Sequence, residues 1–173
     1  MLASGTVSPL VVEPLDKSRH NRMSFSCGVP ALDEYLWRQA AQDMEKRAAV
    51  VYVALSDDSS IVGFYTLSQH SVELLPLPED VVRRLARYPV VSATLLGRLA
   101  VASRLHGQRF GRALLFDALG RTLTHSAQIA SAGVVVDAKD EQAATFYSKY
   151  GFVPMLGSDR RLFLSMKSIE RMF

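Results

Sequence analysis

Residues 103–115 read SRLHGQRFGRALL, and their reading decides the fold. Gly107 and Gly111 share this junction with Arg104, Arg109 and Arg112. Upstream lies the apolar run VVSATLLGRLAVA (90–102), with the composition of a buried strand. Downstream, Phe110, Ala113, Leu114, Ala118 and Leu119 recur at helical spacing in a segment predicted over 110–124. A turn needs one glycine at most, so a ligand close to the backbone is worth considering. A strand that turns through glycines into a helix leaves several N–H groups aimed at one point, at the positive end of the helix dipole. That is an anion site, apt for a phosphate or diphosphate. Residues 98–121 also carry Arg98, Arg104, Arg109, Arg112 and Arg121 against the single acid Asp117. Neither a Walker lysine pattern nor G-x-G-x-x-G is present, so ATP hydrolysis and dinucleotide binding are not indicated. On spacing alone, a tight loop with solvated arginines fits equally well.

Working outward, the 173 residues suit one domain, 1–173, with a substantial core. Composition is ordinarily globular, at 49% hydrophobic and 21% charged. No apolar run is long enough to span a bilayer. The start, MLASGTVSPLVVEPLDK, lacks a basic segment followed by an apolar core, so no secretory leader is expected. The single cysteine, Cys27, excludes an intramolecular disulfide and fits a cytoplasmic location. It is read as structural, a small buried side chain. No Cys/His spacing suggests zinc, and no metal is expected. A net charge of +3 is compatible with an anionic partner.

The remaining elements follow from periodicity. Residues 10–15 read as a short strand and 30–48 as a helix with Pro30 in its first turn. The stripe of that helix is Leu32, Tyr35, Leu36, Ala40 and Met44. Residues 49–55 and 61–74 flank the polar turn SDDSS as an antiparallel hairpin. A helix over 77–88 places Glu79 and Asp80 first and Arg83, Arg84 and Arg87 last, as the dipole favours, and Pro89 ends it. Residues 131–138 form a strand, 140–151 a short helix closed by Gly151, and FVPML and RRLFLSMK a final strand pair. The order predicts a mixed α/β fold around a central sheet.

The second informative stretch is DAKDEQAATFYSKYGF (137–152). Asp140 and Glu141 suit a helix start. Ala143 and Ala144 permit close approach, and Tyr147 lies one turn on from Ala143. From spacing alone, Tyr147 is a core aromatic with a satisfied hydroxyl or a phenol facing a reacting centre, the first reading being favoured.

Together the two stretches resemble the Gcn5-related N-acetyltransferase (GNAT) superfamily. LLGRLAVASRLHGQRFGRALLFDAL looks like its fourth strand, pyrophosphate loop and following helix. AATFYSKYGF looks like its late A-x-x-F-Y-x-x-x-G-F signature. The family loop is Gln/Arg-x-x-Gly-x-Gly/Ala; here His106 takes the first position and Arg109 replaces the middle glycine. The family asparagine three residues before the alanine is Asp140 here, which is not read as a site. FSCGVPALDEYLWRQAAQDMEKRAAVVYVAL, LLGRLAV and RLFLSMK narrow the likeness to GNAT-type toxins of bacterial toxin–antitoxin pairs, over roughly residues 9–167.

The resemblance implies a GNAT fold: a mixed sheet of about seven strands flanked by helices, splayed between strands 4 and 5. It implies acetyl-CoA as acetyl donor and charged tRNA as substrate, acetylated on the α-amino group of its amino acid so that translation stops. It also implies a ribbon-helix-helix antitoxin, a homodimer and no membrane association. Leu99 and Val101 would contact the pantetheine arm. His106, Gly107, Gln108, Arg109, Phe110, Gly111 and Arg112 would surround the pyrophosphate. Arg104 and Arg109 are candidates for the 3′-phosphate. Tyr147 would protonate the departing thiolate, which reverses the reading from spacing. The amine's proton has His70, Glu73, His106 or a water chain as acceptors; His20 and His125 read as solvated or capping. Arg98, Arg47 and Lys46, with Arg38, Arg83, Arg84 and Arg87, are candidates for a basic track. A GNAT enzyme acting on a small-molecule amine or a protein N-terminus, or a non-catalytic CoA-binding module, remains the alternative.

Overall fold

The computed structural model describes residues 10–85 and 87–173; the first nine residues, where the leader reading began, lie outside them. Seven strands form one mixed sheet in the order β1-β2-β3-β4-β5-β7-β6. They are β1 (Val11–Pro14), β2 (Val50–Leu55), β3 (Ile61–Glu73), β4 (Val90–Val101), β5 (Gly133–Asp137), β6 (Val153–Pro154) and β7 (Arg161–Ser165). The helices are α1 (Pro30–Glu34), α2 (Ala40–Glu45), α3 (Glu79–Leu85), α4 (Phe110–Ser126), α5 (Glu141–Lys149) and α6 (Met166–Glu170). Among the described residues no helix is long and apolar enough to cross a membrane. The chain divides into two compact units, Met1–Tyr65 with Leu99–Leu114, and Thr66–Arg98 with Leu115–Phe173.

In the first unit, β1 pairs antiparallel with β2, from Val11↔Leu55 to Pro14↔Tyr52. The expected helix over 30–48 is α1 and α2 joined by a π turn at Tyr35–Gln39. Pro30 opens it, where a missing N–H costs nothing. The helical stripe faces inward as the spacing predicts: Tyr35, Leu36 and Ala40 are buried, with Leu32 and Met44 packed against them. Phe25, Cys27, Val51, Val53, Phe64 and Ala100 complete this core. Each fully buried large apolar side chain contributes ~1.5–3 kcal/mol. His20 departs from the solvated reading. It is buried; its Nδ1 accepts from the Asp16 N–H at 2.9 Å, and its Nε2 meets Glu13 Oε1 at 2.7 Å. It caps a turn from inside, and holds the Glu13 carboxyl below the usual carboxylate range.

In the second unit, β4 pairs parallel with β5 through Thr94↔Val134, Leu95↔Val135 and Leu96↔Val136, and β4 continues to Val101 beyond these pairs. β7 runs antiparallel to β5 from Gly133↔Ser165 to Asp137↔Arg161, and β6 pairs with β7. Val72, Leu77, Val81, Val91, Ala93, Val135, Met155 and Phe163 form its core. The helix expected over 77–88 is described as Glu79–Leu85, with residue 86 outside the described set. Its exposed pairs Glu79–Arg83 and Asp80–Arg84, at 3.9 and 3.7 Å, are worth little. The tail RRLFLSMK is not strand throughout. β7 stops at Ser165, whose hydroxyl accepts from the Ser168 N–H at 3.1 Å and starts α6. In α4, Leu114, Ala118 and Leu119 are buried as expected, but Ala113 is exposed and Leu115 buried instead.

Candidate active site

The loop after β4 is built by hydrogen bonds that turn the chain once and then release it. Ala102 N–H donates to Val62 C=O at 2.8 Å, and Ser103 N–H to Ser26 C=O at 2.9 Å. A short 3₁₀ turn, Ser103–Leu105, follows. His106 then turns back, its Nε2–H donating to the Val101 carbonyl at 2.8 Å. The carbonyl can only accept, which fixes the ring tautomer. His106 thus fastens the loop to the strand end through its side chain.

Beyond His106 the backbone takes two left-handed conformations, Gly107 at φ 79° and Arg109 at φ 64°. A Cβ placed on Gly107 would meet nothing within 4 Å. The position where the family pattern has its middle glycine therefore keeps a glycine-like backbone although an arginine occupies it. An L-residue there costs ~1–2 kcal/mol. Arg109→Gly should raise stability by ~0.5–1 kcal/mol, the relief being reduced by the greater freedom of an unfolded glycine. Urea denaturation midpoints measure it, and a lower midpoint would mean that the guanidinium packs in the native state.

The first i→i−4 bond of α4 runs from Ala113 N–H to Arg109 C=O at 3.2 Å. The amides of Phe110, Gly111 and Arg112 precede it at the positive end of the 17-residue helix. Arg104 reaches sideways, donating to Ser60 Oγ at 3.3 Å. Ser60 belongs to the hairpin tip where Asp58 collects the Ser56 and Ser60 hydroxyls and the Ser60 N–H. Those bonds, the Ser56 hydroxyl foremost and Arg104 adding its charge, hold the Asp58 carboxyl far below its ordinary range.

All the sequence-derived loop and strand-end residues, Leu99, Val101, Arg104, His106, Gly107, Gln108, Arg109, Phe110, Gly111 and Arg112, fall in the first unit. So do Lys46 and Arg47, both exposed. Lys46 ends α2, and Arg47 adopts φ 56°, a second arginine in the left-handed region. Half-buried Arg98, exposed Arg83, Arg84 and Arg87, and Tyr147 belong to the second unit.

Tyr147 is held by the end of its own helix. Asp140 caps α5, its Oδ1 accepting from Ala143 N–H at 2.8 Å. At the other end Phe152 N–H donates to Tyr147 C=O at 3.3 Å and Gly151 N–H to Ser148 C=O at 3.1 Å. Gly151 sits at φ 94°. This is a Schellman cap, and its usual apolar contact is present as Tyr147 on Phe152, ring centroids 5.4 Å apart. Phe146 packs edge-on at 5.2 Å. The Y-x-x-x-G-F spacing thus has a structural meaning: it locks the tyrosine to the turn that follows. Burial pushes the phenol up to about 12. Among the described residues none bonds its hydroxyl.

Asp140 starts α5 as the sequence predicts, its carboxyl serving as the N-cap. One residue escaped the sequence reading: Asp33, buried beside Leu32 on an otherwise apolar face. The only available signal was that interruption. His70 is close enough to Asp137 to help lower its carboxyl, behind Arg161, which grips Asp137 at 2.7 and 2.9 Å. Among the described residues no group of three or more His, Cys, Asp or Glu side chains is placed to hold a metal ion.

The chain matches the acetyltransferase (GNAT) domain model over residues 47–154. It is 29% identical to "Probable toxin TacT" of Sinorhizobium fredii (strain NBRC 101917 / NGR234), over 98% of each chain. It is 33% identical to a "tRNA-acetylating toxin" of Mycobacterium tuberculosis (strain ATCC 25618 / H37Rv), over 83% of this chain and 85% of that one. Among solved structures, AtaT complexed with acetyl-methionyl-tRNAfMet has a TM-score of 0.87 at 28% identity, covering 95% of this chain and 99% of that one. A tyrosine-to-phenylalanine variant of AtaT bound to the C-terminus of the antitoxin AtaR and acetyl-CoA has a TM-score of 0.81 at 27% identity, with 96% and 99% covered.

Proposed function

Because the chain belongs to the GNAT acetyltransferase family, we propose that it is a toxin that acetylates the α-amino group of the aminoacyl moiety of charged tRNA. The observation that carries this reading is the extent of the likeness. The family model covers residues 47–154, whereas the likeness to TacT runs over 98% of the chain and takes in the helical segment before it and the tail after it. A shared donor-binding half alone would leave those parts unmatched.

The residues of the loop fit a diphosphate. Gly107 leaves its concave side open, helix amides precede the first turn of α4, and Arg104, Arg109 and Arg112 supply charge. Acetyl-CoA supplies the activated acetyl group. Leu99 and Val101 offer main-chain groups from the end of β4. Arg104, His106, Gly107, Gln108, Arg109, Phe110, Gly111 and Arg112 form the diphosphate loop, His106 by shaping it. Tyr147 keeps its proton, since burial favours the neutral phenol, and gives it up when a thiolate develops. The α-amine loses its proton to water or to His70, Glu73 or His106. Lys46, Arg47 and Arg98 face the phosphates of the tRNA. The two compact units act as one domain, 1–173, in a cytoplasmic homodimer neutralised by a ribbon-helix-helix antitoxin; the complex of AtaT with AtaR supports the antitoxin.

The test is incubation of the purified protein with labelled acetyl-CoA and a panel of charged tRNAs, polyamines and peptides. Label is expected on the aminoacyl end. The rate should fall steeply between 50 and 200 mM salt, by ~10³-fold for about six neutralised phosphates. Replacing Lys46, Arg47 and Arg98 with glutamine should lower the log–log salt slope by about one unit per lost phosphate contact. Label on polyamines or peptides with a flat salt response would point to a different amine.

A further inference from the structure

The chain leaves β4 in a direction set by a loop more than seventy positions earlier in the sequence. The Ser103 N–H, at the root of the diphosphate loop, donates to the Ser26 carbonyl at 2.9 Å. Ser26 is in turn fixed from behind. Asp33 Oδ1 accepts from the neighbouring Cys27 N–H at 2.8 Å, and Asp33 Oδ2 accepts from the Ser26 hydroxyl at 3.4 Å. Trp37, one turn further along the same helical segment, donates its Nε1–H to the Phe25 carbonyl at 3.0 Å. Asp33 is only 6% exposed, so its carboxyl has no solvent to fall back on. Gly28 completes the contact from the other side. At φ 85°, its added Cβ would stand 3.3 Å from Ser103 Oγ.

A buried carboxyl that grips two consecutive residues of a loop is a costly way merely to fill space. Burial of such a group is favourable only when its lone pairs are satisfied. Here the donors run in one direction, from Ser103 to the Ser26 carbonyl and from Ser26 and Cys27 to the Asp33 carboxyl. We propose that Asp33 is a positioning residue for acetyl-CoA binding. It holds the Ser26 carbonyl where it sets the exit of the chain from β4, and thereby orients the diphosphate loop at 104–112. This rests on the reading of that loop as the acetyl-CoA site.

The test uses the full chain with Asp33→Ala, Asp33→Asn, Gly28→Ala and the control Val53→Ala. Val53 is fully buried in the same core but makes none of these bonds. Two readouts are taken at a temperature where circular dichroism finds each variant folded: the amide exchange rate of Ser103 by NMR, and coenzyme A affinity by calorimetry. Asp33→Ala removes the carboxyl that accepts from the Cys27 N–H and the Ser26 hydroxyl, a loss typically equivalent to about tenfold or more. It should therefore speed Ser103 exchange and weaken coenzyme A by about tenfold each. Asp33→Asn retains an oxygen for Cys27 and should stay within about twofold of wild type. Gly28→Ala pushes the same junction from the opposite side, and should change both readouts even if Asp33→Ala does not fold. Val53→Ala should leave both near wild type at comparable loss of melting temperature. Equal effects of Asp33→Ala and Val53→Ala, or unchanged readouts in Asp33→Ala or Gly28→Ala, would overturn the positioning role. Failure of the wild-type protein to bind coenzyme A would sink the acetyl-CoA reading and this role with it, while Ser103 exchange would still report whether Asp33 fixes the loop.

Discussion

Tyr147→Phe is expected to fold, to bind acetyl-CoA with unchanged affinity, and to lose ~10²–10⁴-fold in kcat, the range a positioned general acid supplies. The structure explains why the first two properties survive. The ring's contacts with Phe146 and Phe152 need only its carbon atoms. The Schellman cap uses the main chain of Tyr147, not its hydroxyl. No described residue depends on that hydroxyl, so its removal leaves no orphaned partner. A second measurement separates burial from catalysis. The phenol stands at about 12 in the folded chain against 10.0 ordinarily. Below pH 10 it is neutral in both states and stability is indifferent to it. Between 10 and 12 the unfolded chain ionises while the folded chain does not, so the wild type loses ~3 kcal/mol that Tyr147→Phe retains. Denaturation of both proteins across this range should therefore show the wild type falling progressively below the variant as pH rises. Near-wild-type turnover in the variant would remove Tyr147 from the reaction and leave it a core aromatic.

What could be read from the sequence was whatever local chemistry dictates. The helix of Tyr147 announces itself through an acid at its start and a glycine at its end, because both satisfy backbone groups a helix cannot satisfy itself. The α1–α2 stripe is legible because burial follows the helical period. The left-handed turn at 107–109 was half legible: Gly107 declares it, while Arg109 conceals it by occupying a glycine-like conformation. The differences share one cause, contacts that arise only when loops fold back on themselves. His20, read as solvated or capping, is a buried cap once Glu13 and the Asp16 N–H enclose it. Asp33 looks like an interruption of a stripe until the Ser26–Cys27 loop folds onto it. Leu115 is buried in place of Ala113 because the inward arc of α4 runs through Leu114, Leu115, Ala118, Leu119 and Thr122, and Ala113 lies off it. The tail reads as strand because the run Leu162–Leu164 favours β7 and outweighs the capping serine at Ser165 that follows it.

Gly133→Ala should cost at least ~3 kcal/mol and lower the melting temperature by about 6–12 °C. Gly133 opens β5 directly opposite Ser165 in the antiparallel ladder to β7. A Cβ there would lie 2.2 Å from the Leu164 carbonyl oxygen and 2.6 Å from the Phe163 ring. Neither obstacle can move cheaply. The oxygen belongs to the backbone of β7, and Phe163 is 1% exposed in the core of the second unit. The strand must therefore shift away from its partner or the ring must leave its packing, and either disturbs Val134 to Val136, which also carry the parallel ladder to β4. Gly120→Ala is the control. Its Cβ would meet only the Phe173 ring at 3.4 Å in the interior of α4, where alanine is the better helix former by ~1 kcal/mol. Thermal unfolding of the two variants decides the matter. Comparable melting temperatures would mean that β5 and β7 tolerate separation at this point, and that the strand leading to α5 and Tyr147 is not held by the close approach Gly133 permits.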